Sequence, residues 1–89
     1  MNVTTNRGQT FKVNWAWATS DGRLMIELPS AGRIADIAED FDGLTKIERK
    51  SEEEGDATYI GYDELTSVIK DTEKGTALLS LKRSVKRNG

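Results

Sequence analysis

The chain of 89 residues contains neither cysteine nor histidine. Without cysteine there are no disulfides and no thiolate nucleophiles, and without either residue the usual ligands of zinc and other transition metals are missing. The lack of histidine also removes the commonest general base of enzyme active sites. We therefore expect no catalytic residue, no cofactor-binding residue and no metal ligand, and we predict that the protein is not an enzyme.

Long apolar segments are also absent. The longest uncharged run is far shorter than the roughly 20 apolar residues of a membrane-spanning helix. The first ten residues are polar and lack the apolar centre of a signal peptide. From these absences we expect a soluble, unexported protein that makes no membrane contact.

Charge of one sign is not in large excess, since 13 basic residues stand against 15 acidic ones and the net charge is -2. A general nucleic-acid binder usually relies on a basic field, so this balance disfavours nucleic acid as the partner. Apolar residues make up 36% of the chain, enough for one modest core at this length. We predict a single domain over residues 1–89, with an ordered core at about residues 9–83 and a disordered tail at 84–89.

Residues 11–28 alternate between apolar and polar side chains, which is typical of a β-hairpin with one buried face. Ser20, Asp21 and Gly22 supply the turn. We expect Met25 on the outer face and Trp17, near the turn, to be less buried than Trp15. The residues predicted for the inner face are Phe11, Val13, Trp15, Trp17, Leu24, Ile26 and Leu28.

A helix is predicted next, because Ile34, Ile37, Ala38 and Phe41 have the spacing i, i+3, i+4 and i+7. Gly43 stands where a left-handed residue would end it. A helix of about eleven residues spans roughly 16 Å, whereas a sheet of five strands is roughly 20 to 24 Å wide. Part of the apolar sheet should therefore stay uncovered, pair with another copy or curl on itself.

The second half of the chain predicts strands. Residues 45–51 suit a charged edge strand with Ile47 inward, and residues 57–62 suit a strand with Tyr59 on one face and Ile60 and Tyr62 on the other. Residues 63–71 fit either a helix or a strand, and their β-branched residues favour a strand paired with residues 76–82. In that hairpin Val68 and Leu78 should point away from the core, opposite to a set that comprises Leu65, Ile69, Ala77, Leu79 and Leu81.

These elements together predict an α+β fold of order ββαβββ, with one helix packed on a mostly antiparallel or mixed sheet, similar in outline to a β-grasp. A fold of this kind does not specify a function by itself.

Residues 33–43, with residues 47–50 and 59–65 after them, resemble small uncharacterised proteins encoded by phages, prophages and conjugative elements of Gram-positive bacteria. The resemblance covers about residues 10–83. Because that group has no known catalytic residues, the resemblance implies a non-enzymatic accessory role in a virion or a mobile-element complex. It places the protein in the cytoplasm of a bacterial host or in association with a virion.

Our first hypothesis is a non-catalytic protein-binding accessory module of a phage or mobile element. Its partner would be another protein or a second copy of the chain, docked on the uncovered sheet surface or on the acidic outer face of the predicted helix, which carries Asp36, Glu39, Asp40 and Asp42. The alternative is single-stranded nucleic-acid binding by Trp15, Trp17 and Tyr62 together with the basic C-terminal tail. The predicted partner-binding residues are Trp17, Met25, Ile60, Tyr62, Val68 and Leu78.

Overall fold

The computed structural model describes residues 1–29 and 38–84, and within them the chain is mostly β, with no helix of seven residues or more. Its strands are β1 Asn2–Thr5, β2 Thr10–Lys12, β3 Trp15–Ala18, β4 Arg23–Leu28, β5 Lys46–Lys50, β6 Ala57–Ile60, β7 Glu64–Asp71 and β8 Thr76–Lys82.

The strands form two four-stranded antiparallel sheets. Sheet A has the order β2-β1-β5-β6, and sheet B has the order β3-β4-β8-β7. Buried side chains of both sheets form one core, with Val3 and Ile47 from sheet A against Leu24, Ile26 and Leu79 from sheet B. The predicted α+β, β-grasp-like fold is therefore wrong, because a second sheet covers the first where we expected a helix.

Of the predicted helix, residues 38–40 have helical backbone, and residues 34–37 lie outside the described residues. Phe41 leaves this turn and is fully buried, with its ring 4.9 Å from that of Phe11. Gly43 has the predicted left-handed backbone, with φ +75°, and its N–H donates to the carbonyl of Asp63. Within the described part, the apolar spacing thus marks one residue that packs into the core, and it does not mark a long helical face.

The first strand of the predicted hairpin changes sheets halfway along. The N–H of Val13 donates to the carbonyl of Met1, beside sheet A, whereas the N–H of Asn14 donates to the carbonyl of Glu27 in β4 of sheet B. Such corners let one strand contribute to two packed sheets. The corner resets the alternation, so that Ala16 is buried and both tryptophans point away from the core, contrary to prediction.

A second corner joins β6 to β7 at the other edge of the two sheets. Gly61 turns the chain there with φ +82°, in the left-handed region that favours glycine, and donates its N–H to the carbonyl of Thr45. The turn carries Tyr62 into the core, with its ring 6.2 Å from that of Tyr59. The prediction that Tyr62 shares an exposed face with Ile60 is wrong for this reason.

The β7–β8 hairpin is confirmed, but β7 contains a bulge between Leu65 and Ser67. The extra residue exchanges the faces of the residues that follow. Val68 lies opposite the buried Leu79, and Ile69 lies opposite Leu78 on the outer face, where it is 57% exposed. The predicted faces of Val68 and Ile69 are therefore wrong, while that of Leu78 is confirmed.

Sheet A differs from the prediction at both of its central strands. β1 lies between β2 and β5 and its Val3 is fully buried, so the ordered part begins before residue 9. Ile47 points inward as predicted, but β5 lies between β1 and β6 and is not an edge strand.

The described chain ends at Ser84, whose N–H and hydroxyl both donate hydrogen bonds to the carboxylate of Asp63. Residues 85–89 of the predicted tail lie outside the described residues.

In the parts of the chain that are described, no helix is long and apolar enough to cross a membrane.

The inner and outer faces of sheet B predict effects of different size for the same substitution. Ile26 is fully buried and Ile69 is mostly exposed. We expect Ile26→Ala to lower the free energy of unfolding by about 2–5 kcal/mol, because it leaves a cavity in the core. Ile69→Ala should cost less than about 1 kcal/mol. Urea denaturation followed by circular dichroism measures both values, and equal losses would contradict the bulge in β7.

Candidate functional site

The outer face of sheet B carries large apolar side chains from all four of its strands, next to a charged row formed by Arg23, Lys82 and Glu64. The strand register aligns Trp15, Glu27, Leu78 and Ile69 in one row, and Trp17 lies opposite Met25 in the next. We call this surface the Trp face. Its apolar members are Trp15, Trp17, Met25, Ile69 and Leu78.

The outer face of sheet A is polar by contrast. Lys46 and Glu48 form an ion pair there, with Nζ 2.9 Å from Oε1, and this lysine lowers the pKa of the Glu48 carboxyl. Ile60 stands 56% exposed among such neighbours. The remaining outward side chains of sheet A are Asn2, Thr4, Thr10, Lys12, Lys50 and Thr58. Among the described strands, sheet A thus exposes one large apolar side chain among polar ones, whereas sheet B presents several together.

Only half of the predicted partner-binding residues belong to the Trp face. Trp17, Met25 and Leu78 lie on it together. Ile60 is exposed on the outer face of sheet A, and Val68 and Tyr62 point inward. Two members were not among the predicted partner-binding residues: Trp15, which was named only for the nucleic-acid alternative, and Ile69, which the bulge turned outward.

The two tryptophans form one aromatic surface at the edge of this face. Their ring centroids are 6.0 Å apart with the planes inclined by 54°. Trp17 is 63% exposed and Trp15 is partly buried, which confirms the expected order of their burial. Together with Ala16 and Glu54 they line an open cavity of about 270 Å³.

Glu54 also lines a second and larger cavity of about 460 Å³. The rest of its lining consists of Met1, Asn2, Asn14, Lys50, Ser51, Glu52 and Glu53. Glu54 is therefore shared by the aromatic cavity and a polar one.

Arg49 holds the aromatic strand and the acidic loop together. Its Nη1 donates to the carbonyl of Ala16 at 2.9 Å and to the hydroxyl of Tyr59 at 3.1 Å. Its Nε donates to the carbonyl of Gly55 at 3.3 Å, and its Nη2 to that of Glu54 at 3.4 Å. One guanidinium thus ties β5 of sheet A to the edge strand β3 of sheet B and fixes the loop beside the tryptophans.

Tyr59 also forms a hydrogen bond at this junction. Its hydroxyl lies 3.4 Å from the carbonyl of Ala16, as a donor. Burial raises the pKa of Tyr59 above its ordinary value, and the nearby charge of Arg49 opposes that rise without cancelling it. The phenol is therefore neutral at physiological pH and serves as a hydrogen-bond donor.

The Trp face presents indole, thioether and aliphatic side chains. Among residues 1–29 and 38–84, no group of three or more carboxylates is placed to hold a metal ion.

A comparison with protein-family models, with curated proteins and with solved structures finds no match to the chain.

The hydrogen bonds of Arg49 predict that replacing Arg49 lowers the stability of the protein more than replacing its neighbour Lys50. Arg49→Met removes the donor from the carbonyls of Glu54 and Gly55 and leaves the carbonyl of Ala16 with only the longer hydrogen bond from Tyr59, so we expect the free energy of unfolding to fall by about 1–3 kcal/mol. The matched control is Lys50→Met, whose ammonium makes only an exposed ion pair with Asp56 and should cost less than about 1 kcal/mol. Denaturant titration tests both, and a harmless Arg49→Met would refute the junction.

The pKa of Tyr59 predicts a loss of stability in alkali. Because its folded-state pKa is raised, the folded protein holds this proton more tightly than the unfolded chain, whose tyrosines titrate near pH 10. The stabilisation is complete below that pH and disappears as the pH rises through the folded-state pKa. We expect the difference in unfolding free energy between the wild type and Tyr59→Phe to stay constant up to about pH 9 and to shrink above about pH 10. A difference that grows in alkali would contradict the sign of the shift.

Proposed function

We propose that the protein is a non-catalytic protein-binding module whose partner docks on the Trp face. The observation that carries this proposal is the contrast between the two outer faces, of which only one presents large apolar residues side by side. Contiguous exposed apolar patches typically mark interaction sites, and tryptophan is enriched among the residues that dominate binding energy.

Single-stranded nucleic acid is the second candidate, and the surroundings of the tryptophans disfavour it. Glu27 lies opposite Trp15, and Glu54 lines the aromatic cavity, so phosphates would meet carboxylates there. Tyr62, the third predicted stacking residue, is buried beneath the guanidinium of Arg83, which lies 4.5 Å from its ring centroid. The cationic side chain of Arg83 is thus engaged within the fold.

The biological setting that we propose rests on the resemblance of residues 33–43, 47–50 and 59–65 to proteins of phages and conjugative elements. In that setting the module is an accessory component of a virion or mobile-element complex. It acts in the cytoplasm of a bacterial host or as part of the particle, and it contacts another protein through the Trp face.

Two exposed isoleucines on opposite sheets allow a matched test of this proposal. Ile69 on the Trp face and Ile60 on sheet A are 57% and 56% exposed. A photo-crosslinking amino acid replaces each in turn, and the protein is expressed and irradiated in cells of its own host. We expect a discrete crosslinked protein from position 69 and none from position 60, detected by electrophoresis and identified by mass spectrometry.

Trp17→Ser in the position-69 protein should abolish that crosslinked band. A crosslink from the protein to its own copy would identify the second copy as the partner. Equal crosslinking at both positions, or a nuclease-sensitive product at position 69, would refute a dedicated protein-binding Trp face.

A further inference from the structure

We infer that the cavity formed by Trp15, Trp17 and Glu54 binds an arginine side chain of a basic segment in the partner protein. This inference rests on the proposed function and names the chemistry of its partner. It is carried by the combination of two tryptophans and the acidic residue Glu54 in the lining of a single cavity.

The aromatic wall favours a cation. Indole has the most electron-rich face of the protein side chains, and a cation within about 6 Å of the ring centroid is attracted to it. The ring planes of Trp15 and Trp17 are inclined by 54°, so the two rings form an open wedge and not a pair of parallel walls. A side chain entering from solvent can therefore lie flat on one indole while touching the other.

Two acidic residues lie at this cavity, and the guanidinium of Arg49 beside it is taken up by the carbonyls of Ala16 and Glu54. Glu54 lines the cavity directly, and Glu27 lies opposite Trp15, where its carboxylate accepts a hydrogen bond from Asn14. Within the described ranges 1–29 and 38–84, no lysine or arginine pairs with the carboxylate of either residue. A positive group from outside would therefore complement this edge of the Trp face.

Two basic residues of β5, near the acidic loop, are already engaged elsewhere. Arg49 donates its N–H groups to backbone carbonyls and to Tyr59, and Lys50 pairs with Asp56 at 3.4 Å. Neither side chain is thus available to fill the aromatic cavity.

Arginine suits the cavity better than lysine does. Its planar guanidinium stacks on an aromatic face and offers paired N–H donors to a carboxylate at the same time, whereas an ammonium is a strongly hydrated point charge. The hydrogen bonds from Arg49 to the Glu54 and Gly55 carbonyls hold the loop beside the indoles before any ligand arrives. The site is therefore preorganised to hold a planar cation between an indole ring and Glu54.

Three synthetic peptides of identical length test this inference, with two arginines, two lysines or two citrullines in an otherwise Gly-Ser sequence. Citrulline keeps the shape of arginine without its charge. Binding is followed by the indole N–H resonances of Trp15 and Trp17 in ¹⁵N-labelled protein. We expect the arginine peptide to shift both resonances, the lysine peptide to bind more weakly and the citrulline peptide to leave them unchanged.

Glu54→Gln should weaken binding of the arginine peptide about fivefold, since it removes one exposed charge pair and leaves the rings in place. Glu73→Gln, in the exposed β7–β8 turn, is the matched control and should bind as the wild type does. Equal affinity for arginine and citrulline peptides, or an unchanged affinity in Glu54→Gln, would overturn the inference. A partner crosslinked at position 69 that contains no basic segment would overturn it too, while leaving the protein-binding function intact.

Discussion

The hydrogen bonds of the Arg49 guanidinium are the interaction on which the candidate site depends. β3 is an edge strand, so the carbonyl of Ala16 has no partner strand on its outer side, and Arg49 supplies the donor from the other sheet. The same group binds the carbonyls of Glu54 and Gly55. Because the guanidinium is rigid and planar, the tryptophan strand and the acidic loop are fixed relative to each other through one side chain.

The apolar character of the Trp face follows from the corner at residues 13–14. If the strand had continued in sheet A, its alternation would have carried both tryptophans into the core. By passing to sheet B the chain places Ala16 inward, where the small side chain leaves room for Ile26 opposite, and turns the two indoles toward solvent. The location of the Trp face is thus a consequence of how the two sheets are joined.

Local alternation was enough to predict the β3–β4 and β7–β8 hairpins, the inward Ile47 and the outward Met25 and Leu78. It failed where the backbone departs from regular strand geometry, at the 13–14 corner, at Gly61 and at the bulge in β7. These departures are set by pairing between distant strands, which a local pattern does not contain. The helix prediction failed similarly, because the spacing that ends at Phe41 is satisfied here by burial of that ring in a core made of strands.

The energetics of the Trp face explain why aromatic contact alone would not hold a partner. Neither tryptophan belongs to the buried core, so both rings keep apolar area for an interface. If their exposed parts together offer on the order of 200 Å², burial contributes about 5 kcal/mol at roughly 25 cal/mol per Å². Association costs an estimated 4 kcal/mol or more in lost translational and rotational freedom. A stable complex therefore needs more than the two rings, and the rest of the Trp face and the carboxylates at its edge are placed to supply that further contact.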